Sequence, residues 1–126
     1  SYDRPFTDCS AILHVGTAMG YGGANDPRQV YEGAVNGTSN VLASVRKAGT
    51  VKRFIYTSSF AAIGHPAPPG YAYTENDWAS DDRDNDPDWN LDNLEEKGET
   101  GYAMAKVETE HMVNRIAEED GRFESI

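Results

Sequence analysis

The residues best suited to chemistry in this chain are a tyrosine and a lysine four positions apart, in Tyr102-Ala103-Met104-Ala105-Lys106. On a helix that spacing puts the phenol and the ammonium on one face, about a turn apart. The chemistry they suit is proton transfer to or from an alcohol oxygen. A free tyrosine titrates near pH ~10, so acid–base work close to neutrality requires its phenolate to gain about 4 kcal/mol. An ammonium a few ångströms away supplies an interaction of that order at an effective dielectric near ~20. The tandem Ser58-Ser59 is the natural complement, because hydroxyls beside the phenol hold a substrate oxygen by hydrogen bonds. Asn36 is a third polar feature, an amide set in the middle of a helical stripe where it is a poor helix former. Tyr-x-x-x-Lys alone also suits an amphipathic helix with the tyrosine packed and the lysine solvated, so the surrounding elements decide.

Those elements alternate between strand and helix. Ala11-Ile12-Leu13-His14-Val15 is a short apolar run ending at Gly16-Thr17, the pattern of a buried parallel strand. Asn25 or Asp26 followed by Pro27 makes a helix start, a cap and then a proline in the first turn. Val30, Ala34, Gly37, Val41, Val45 and Ala48 then recur at helical spacing until Gly49 ends the stripe. Arg53-Phe54-Ile55-Tyr56-Thr57 reads as a second buried strand that runs straight into Ser58-Ser59. A last helix opens at Glu99 or Thr100, carries Ala105, Met112, Val113 and Ile116 inward, and ends near Asp120-Gly121. Phe123 to Ile126 has the look of a further strand cut short. Strands alternating with helices mean helices packed on a parallel sheet, so Ser58-Ser59 and Tyr102-Lys106 fall at strand ends and on the helices that follow, where such sheets bind ligands.

Charge is concentrated in one stretch. The 126 residues carry 21 acidic and 11 basic side chains, a formal net charge of −10. Between Glu75 and Glu99 there are eleven Asp or Glu against Arg83 and Lys97. Residues 70–99 therefore read as an acidic, solvated excursion, too long for an ordinary connector. Nucleic acid is excluded as a partner, since phosphate neutralisation needs clustered Lys and Arg. No run of about 18 apolar residues is present, so a membrane-spanning helix is excluded. The polar opening Ser1-Tyr2-Asp3-Arg4-Pro5 is not that of a signal peptide, and the single cysteine, Cys9, fits a reduced, cytoplasmic setting.

Other constellations fail on spacing. Asp82, Asp84, Asp86 and Asp88 alternate as in a calcium loop, but neither register supplies both the glycine at position six and the glutamate at position twelve. His14, His65 and His111 share no metal-ligand spacing, and His14 is expected to pack or hydrogen-bond beside its strand, so no metal site is assigned. Gly20-Tyr21-Gly22-Gly23-Ala24-Asn25 offers Gly-x-Gly but has Asn25 in the third glycine's place, and it reads as a loop before a capped helix. Ser59 lacks the Gly-x-Ser-x-Gly elbow of a serine hydrolase.

Four segments together resemble the extended short-chain dehydrogenase/reductase family, in its dihydroflavonol reductase, cinnamoyl-CoA reductase and 3β-hydroxysteroid dehydrogenase branch. They are residues 9–17, Val35-Asn36-Gly37-Thr38-Ser39-Asn40-Val41-Leu42, residues 51–59 and Tyr102-Ala103-Met104-Ala105-Lys106, in the family's order, and Thr74-Glu75-Asn76-Asp77-Trp78 is similar to its Glu-x-x-Trp segment. The resemblance implies a Rossmann-type doubly wound parallel sheet, of which residues 1–126 are the central part, truncated at both ends. The family's Gly-x-x-Gly-x-x-Gly phosphate loop, which follows its first strand, is not in this sequence. The implied activity is NAD- or NADP-dependent interconversion of a ketone or aldehyde and an alcohol. Tyr102 would be the general acid or base, Lys106 would lower its pKa and hold the nicotinamide ribose, Ser59 would orient the substrate oxygen, and Asn36 would belong to a proton relay behind Lys106. Val15, Gly16, Thr17 and Ala18, with Thr57, Tyr102 and Lys106, would line the cofactor. A small carbonyl or alcohol is the implied partner, and a homodimer is an option for the full-length protein. Within the same family a sugar-nucleotide epimerase or dehydratase shares these residues, and a non-catalytic nucleotide-binding module is the alternative from another class.

Overall fold

The computed structural model describes residues 1–17, 26–64, 67–82, 89 and 98–126. Three parallel strands form one sheet in the order β1-β2-β3: β1 is Ala11–His14, β2 is Arg53–Tyr56 and β3 is Glu124–Ser125. Ile12 pairs with Phe54 and His14 with Tyr56, while Arg53 and Phe54 pair with Glu124 and Ser125 on the other side. Backbone bonds between Ile126 and both Phe54 and Tyr56 extend the β2–β3 ladder past the last strand residue. The strands end at His14 and Tyr56, one residue short of the sequence pattern in each, although the Thr57 amide still bonds the His14 carbonyl and continues the β1–β2 ladder.

Parallel neighbours require a crossover, and two long helices supply them. Helix α1, Pro27–Ala48, starts where Asp26 accepts a hydrogen bond from the Arg28 amide at 3.0 Å. It stops where Gly49, at φ 70°, adopts the left-handed geometry that glycine tolerates without strain. Its inward stripe is Ala34, Thr38, Val41, Leu42 and Val45. Helix α3, Gly98–Asp120, begins slightly earlier than Glu99 or Thr100 and buries Ala105, Thr109, Met112, Val113 and Ala117. A short helix α2, Phe60–Ile63, lies between them after β2.

The main core joins Ile12 and Phe54 of the sheet to Leu42 and Val45 of α1 and Met112 and Val113 of α3, closed below by Val51 and Phe123. Both long helices therefore lie on the sheet face to which Ile12 and Phe54 point. The other face is open among the described residues: Leu13, alternating with Ile12, is 64% exposed. The chain is thus α/β with a small parallel sheet, part of a Rossmann-like fold as expected, and its described helices cover one face of it. The two helices meet closely at their N-terminal ends, where Gly101 packs on Pro27. A Cβ there would lie 2.5 Å from the Pro27 carbonyl oxygen.

The described first part of the acidic excursion, residues 70–82, is also more ordered than its charge implies. Asp77, only 9% exposed, accepts hydrogen bonds from the Thr74 amide, the Thr74 hydroxyl and the Tyr71 hydroxyl, pinning a turn. A 3₁₀ turn follows at Ala79–Asp82. Ala79 joins Ala62 and Val107 in a second, smaller core flanked by Trp78 and Trp89, and Trp78 stacks on His111 of α3 with ring centroids 3.9 Å apart. Apolar Trp78 and Ala79 outweigh the neighbouring charges in this half. Ala18, the glycine-rich run 20–25, His65 and Asp84, Asp86 and Asp88 of the calcium-like pattern lie outside the described residues.

Candidate active site

Lys106 is the centre of the site. Position 106 on α3 faces the end of β2, and the side chain is 4% exposed. Its ammonium donates to the Thr57 carbonyl oxygen at 2.8 Å and to the Tyr56 hydroxyl at 3.4 Å. It stands 4.9 Å from the Tyr56 ring centroid and 5.8 Å from that of Tyr102, so it sits between two phenols. Burial pushes the Lys106 ammonium below its ordinary pKa, and the negative charge of Glu110 pulls it back up. Burial also raises the Tyr56 phenol, opposed by its bond with Thr109 and assisted by Glu110 and Tyr102. Thr109 donates to the Ala105 carbonyl at 2.6 Å, so the Tyr56 hydroxyl donates to Thr109 while accepting from Lys106. Tyr56 is thereby fixed as an acceptor toward the lysine.

The expected pair is on one helix face, with Tyr102 half-buried a turn before Lys106. The serines stand where the chain leaves β2. Ser59 is in extended geometry and caps α2, its Oγ accepting from the Ala61 amide at 3.2 Å. That bond uses a lone pair and leaves the hydroxyl proton available for donation. Ser58 donates its proton to Glu110. Thr57 is exposed, its amide donating to the His14 carbonyl at 3.1 Å and its own carbonyl taking the lysine.

Val15 and Gly16 are exposed and Thr17 half-buried at the end of β1. They line a cleft of about 410 Å³ together with Leu13, His14, Gly37 and Thr38. His14 pairs with the Thr38 hydroxyl at 3.1 Å and packs near Phe54 and Tyr56, as expected for a histidine beside its strand. Asn36 is exposed on α1, and the groups bonded to Lys106 are Thr57 and Tyr56 instead. Sequence reasoning missed Tyr56 and Glu110. Tyr56 reads as one more strand core residue, whereas Glu110 has a usable signal in its four-residue spacing from Lys106. Among the described residues no group of three or more His, Cys, Asp or Glu is placed to hold a metal ion.

Chemically, the arrangement is a dry ammonium beside a half-buried phenol, with a free-ended hydroxyl at the neighbouring strand end. Comparison with known proteins follows the same lines. Residues 2–115 match the model of the 3-beta hydroxysteroid dehydrogenase/isomerase family. The chain is 30% identical over 123 residues to dihydroflavonol 4-reductase of Arabidopsis thaliana, covering 96% of this chain and 30% of that one. It is 30% identical over 122 residues to anthocyanidin reductase of the same plant, covering 95% and 34%. It thus spans about a third of the length of these relatives. Its fold is similar to that of a yeast methylglyoxal/isovaleraldehyde reductase solved with NADPH, with a TM-score of 0.76 and 22% identity over 98% of this chain and 36% of that one.

Proposed function

The chain belongs to the 3-beta hydroxysteroid dehydrogenase/isomerase family, a branch of the extended short-chain dehydrogenases/reductases, and on that premise we propose that it carries the proton-transfer centre of an NAD(P)H-dependent carbonyl reductase. The observation that carries this reading is the buried Lys106 ammonium held between the Tyr56 and Tyr102 rings at the end of β2. In the proposed reaction Tyr102 gives its phenolic proton to the carbonyl oxygen, becoming a phenolate that the nearby ammonium stabilises. An alcohol is oxidised by the reverse transfer. Ser59 donates its hydroxyl proton to the same substrate oxygen and orients it. Thr57 and Tyr56 hold Lys106 in place, and Asn36, exposed on α1, belongs to the proton relay behind Lys106.

A nicotinamide cofactor supplies the hydride when bound. The fit of the residues present can be tested on Lys106 itself. An ammonium has three protons, two of which go to Thr57 and Tyr56, and the third is available for a ribose hydroxyl. Val15, Gly16 and Thr17 offer an open wall at the adjoining strand end, and a Cβ on Gly16 would meet nothing within 4 Å. The nicotinamide end of the cofactor suits these residues, with NADPH favoured by the yeast relative.

The test is Tyr102→Phe in the full-length protein, assayed by NADPH oxidation with methylglyoxal and with a dihydroflavonol. Loss of the proton donor with the ring retained lowers turnover by about a hundredfold or more. Near-full turnover in this variant overturns the mechanism.

A further inference from the structure

We infer that Glu110 is a positioning residue of this site: its carboxylate is the counter-charge of the buried Lys106 ammonium and, through Ser58, the tie that fastens the Ser59 turn to α3. The kinetic consequence rests on the proposed reductase reading; the electrostatic one does not.

A charge as buried as Lys106 is costly unless something compensates it. Its two hydrogen-bond acceptors, the Thr57 carbonyl and the Tyr56 hydroxyl, are both neutral. Glu110 is the next carboxylate along the same face of α3, one helical turn beyond Lys106, and half-buried. Its charge favours the protonated lysine and disfavours ionisation of Tyr56, so it reaches both partners of that hydrogen bond. Glu110 also accepts the Ser58 hydroxyl, a charge-assisted bond stronger than one between neutral groups. Ser58 adjoins Ser59, the residue that caps α2. One carboxylate therefore supports the charge of the lysine and, through Ser58, the position of the neighbouring serine that the mechanism uses.

The titratable groups that face Lys106 among the described side chains are few. Strand β2 presents Tyr56, β1 presents His14, whose own pKa the lysine charge lowers, and α3 presents Tyr102 and Glu110. On helix α1, burial and then the Glu108 charge raise the Tyr31 phenol, and α2 carries no titratable residue. Glu110 is the anion in this set.

Three variants of the full-length protein separate charge from tether. Glu110→Gln removes the charge and can still accept from Ser58. Glu110→Asp keeps the charge on a shorter stem. Ser58→Ala removes the tether and leaves the charge. The first readout is the titration of the Lys106 ¹³Cε resonance, assigned by its loss in Lys106→Arg. Glu110→Gln moves its midpoint down by about one pH unit, Glu110→Asp restores it toward the parent value, and Ser58→Ala leaves it in place. The second readout is the pH profile of NADPH-dependent methylglyoxal reduction. Its alkaline limb moves down with the lysine in Glu110→Gln, whereas Ser58→Ala lowers kcat/KM without moving the limb. An unmoved Lys106 midpoint in Glu110→Gln overturns the inference. A parent protein that reduces neither methylglyoxal nor a dihydroflavonol sinks the reductase reading, and the lysine titration still decides the role of Glu110.

Discussion

His14 shows how the neighbourhood of Lys106 enters stability as well as chemistry. Burial, and then the lysine charge, hold its imidazole below the ordinary value near ~6.5. The unfolded chain therefore binds a proton that the folded chain refuses just below that value. The neutral histidine's contribution is fully present above pH ~6.5 and is lost as pH falls toward the folded midpoint. Thermal melts followed by circular dichroism from pH 8 to pH 5 are expected to show Tm falling over that window, and His14→Gln to flatten the fall; parallel curves for parent and variant exclude this account. The residues around Lys106 also show what could be read from sequence alone. Tyr102 and Lys106 were legible because four-residue spacing has one geometric meaning on a helix, and Ser59 because strand ends are where sheets expose polar groups. Tyr56 was not, since an aromatic in an apolar strand signals core whatever its hydroxyl does. Glu110 was hidden by abundance, one carboxylate among 21.

The helices were legible at the ends that carry special residues. Asp26-Pro27 and Gly49 bound α1 where expected, because a cap, a ring-locked φ and a left-handed turn each have one cheap solution. The start of α3 carries no such mark and was misplaced by a residue or two. The turn at Asp77 was missed because a count of charges hides a single carboxylate that finds three donors. Two glycines make the helix packing testable in opposite directions. Gly37 lies within α1 and a Cβ there meets nothing within 4 Å, so Gly37→Ala is expected to stabilise by about 0.5–1 kcal/mol. Gly101 lies against the Pro27 backbone, so Gly101→Ala gains the same propensity but must force α1 and α3 apart, for a net loss of up to about 2 kcal/mol. Urea unfolding of the two variants measures both; a destabilised Gly37→Ala or a stabilised Gly101→Ala would show the contact geometry to be misjudged.

Among the described residues of the whole molecule the sheet presents one covered face and one open one. Leu13 in β1 and Val15 just after it are 64% and 70% exposed, and among the described residues β1 is an edge strand paired with β2. An apolar strand with a free edge is a template for association. Sedimentation of the 126-residue chain on its own is expected to show concentration-dependent oligomers, and Leu13→Lys with Val15→Lys to shift them toward monomer. A monomer at all concentrations would mean that the edge is protected in another way. The smaller core has an optical consequence. Both tryptophans of the chain, Trp78 and Trp89, flank the cluster of Ala62, Ala79 and Val107, and the main core of ten buried residues contains neither. Indole emission therefore reports the docking of the acidic segment on α3 and is blind to the sheet, whereas far-ultraviolet ellipticity is dominated by the two long helices. The smaller cluster buries less apolar surface, so in urea the emission is expected to change before the ellipticity, a separation that coincident curves would refute.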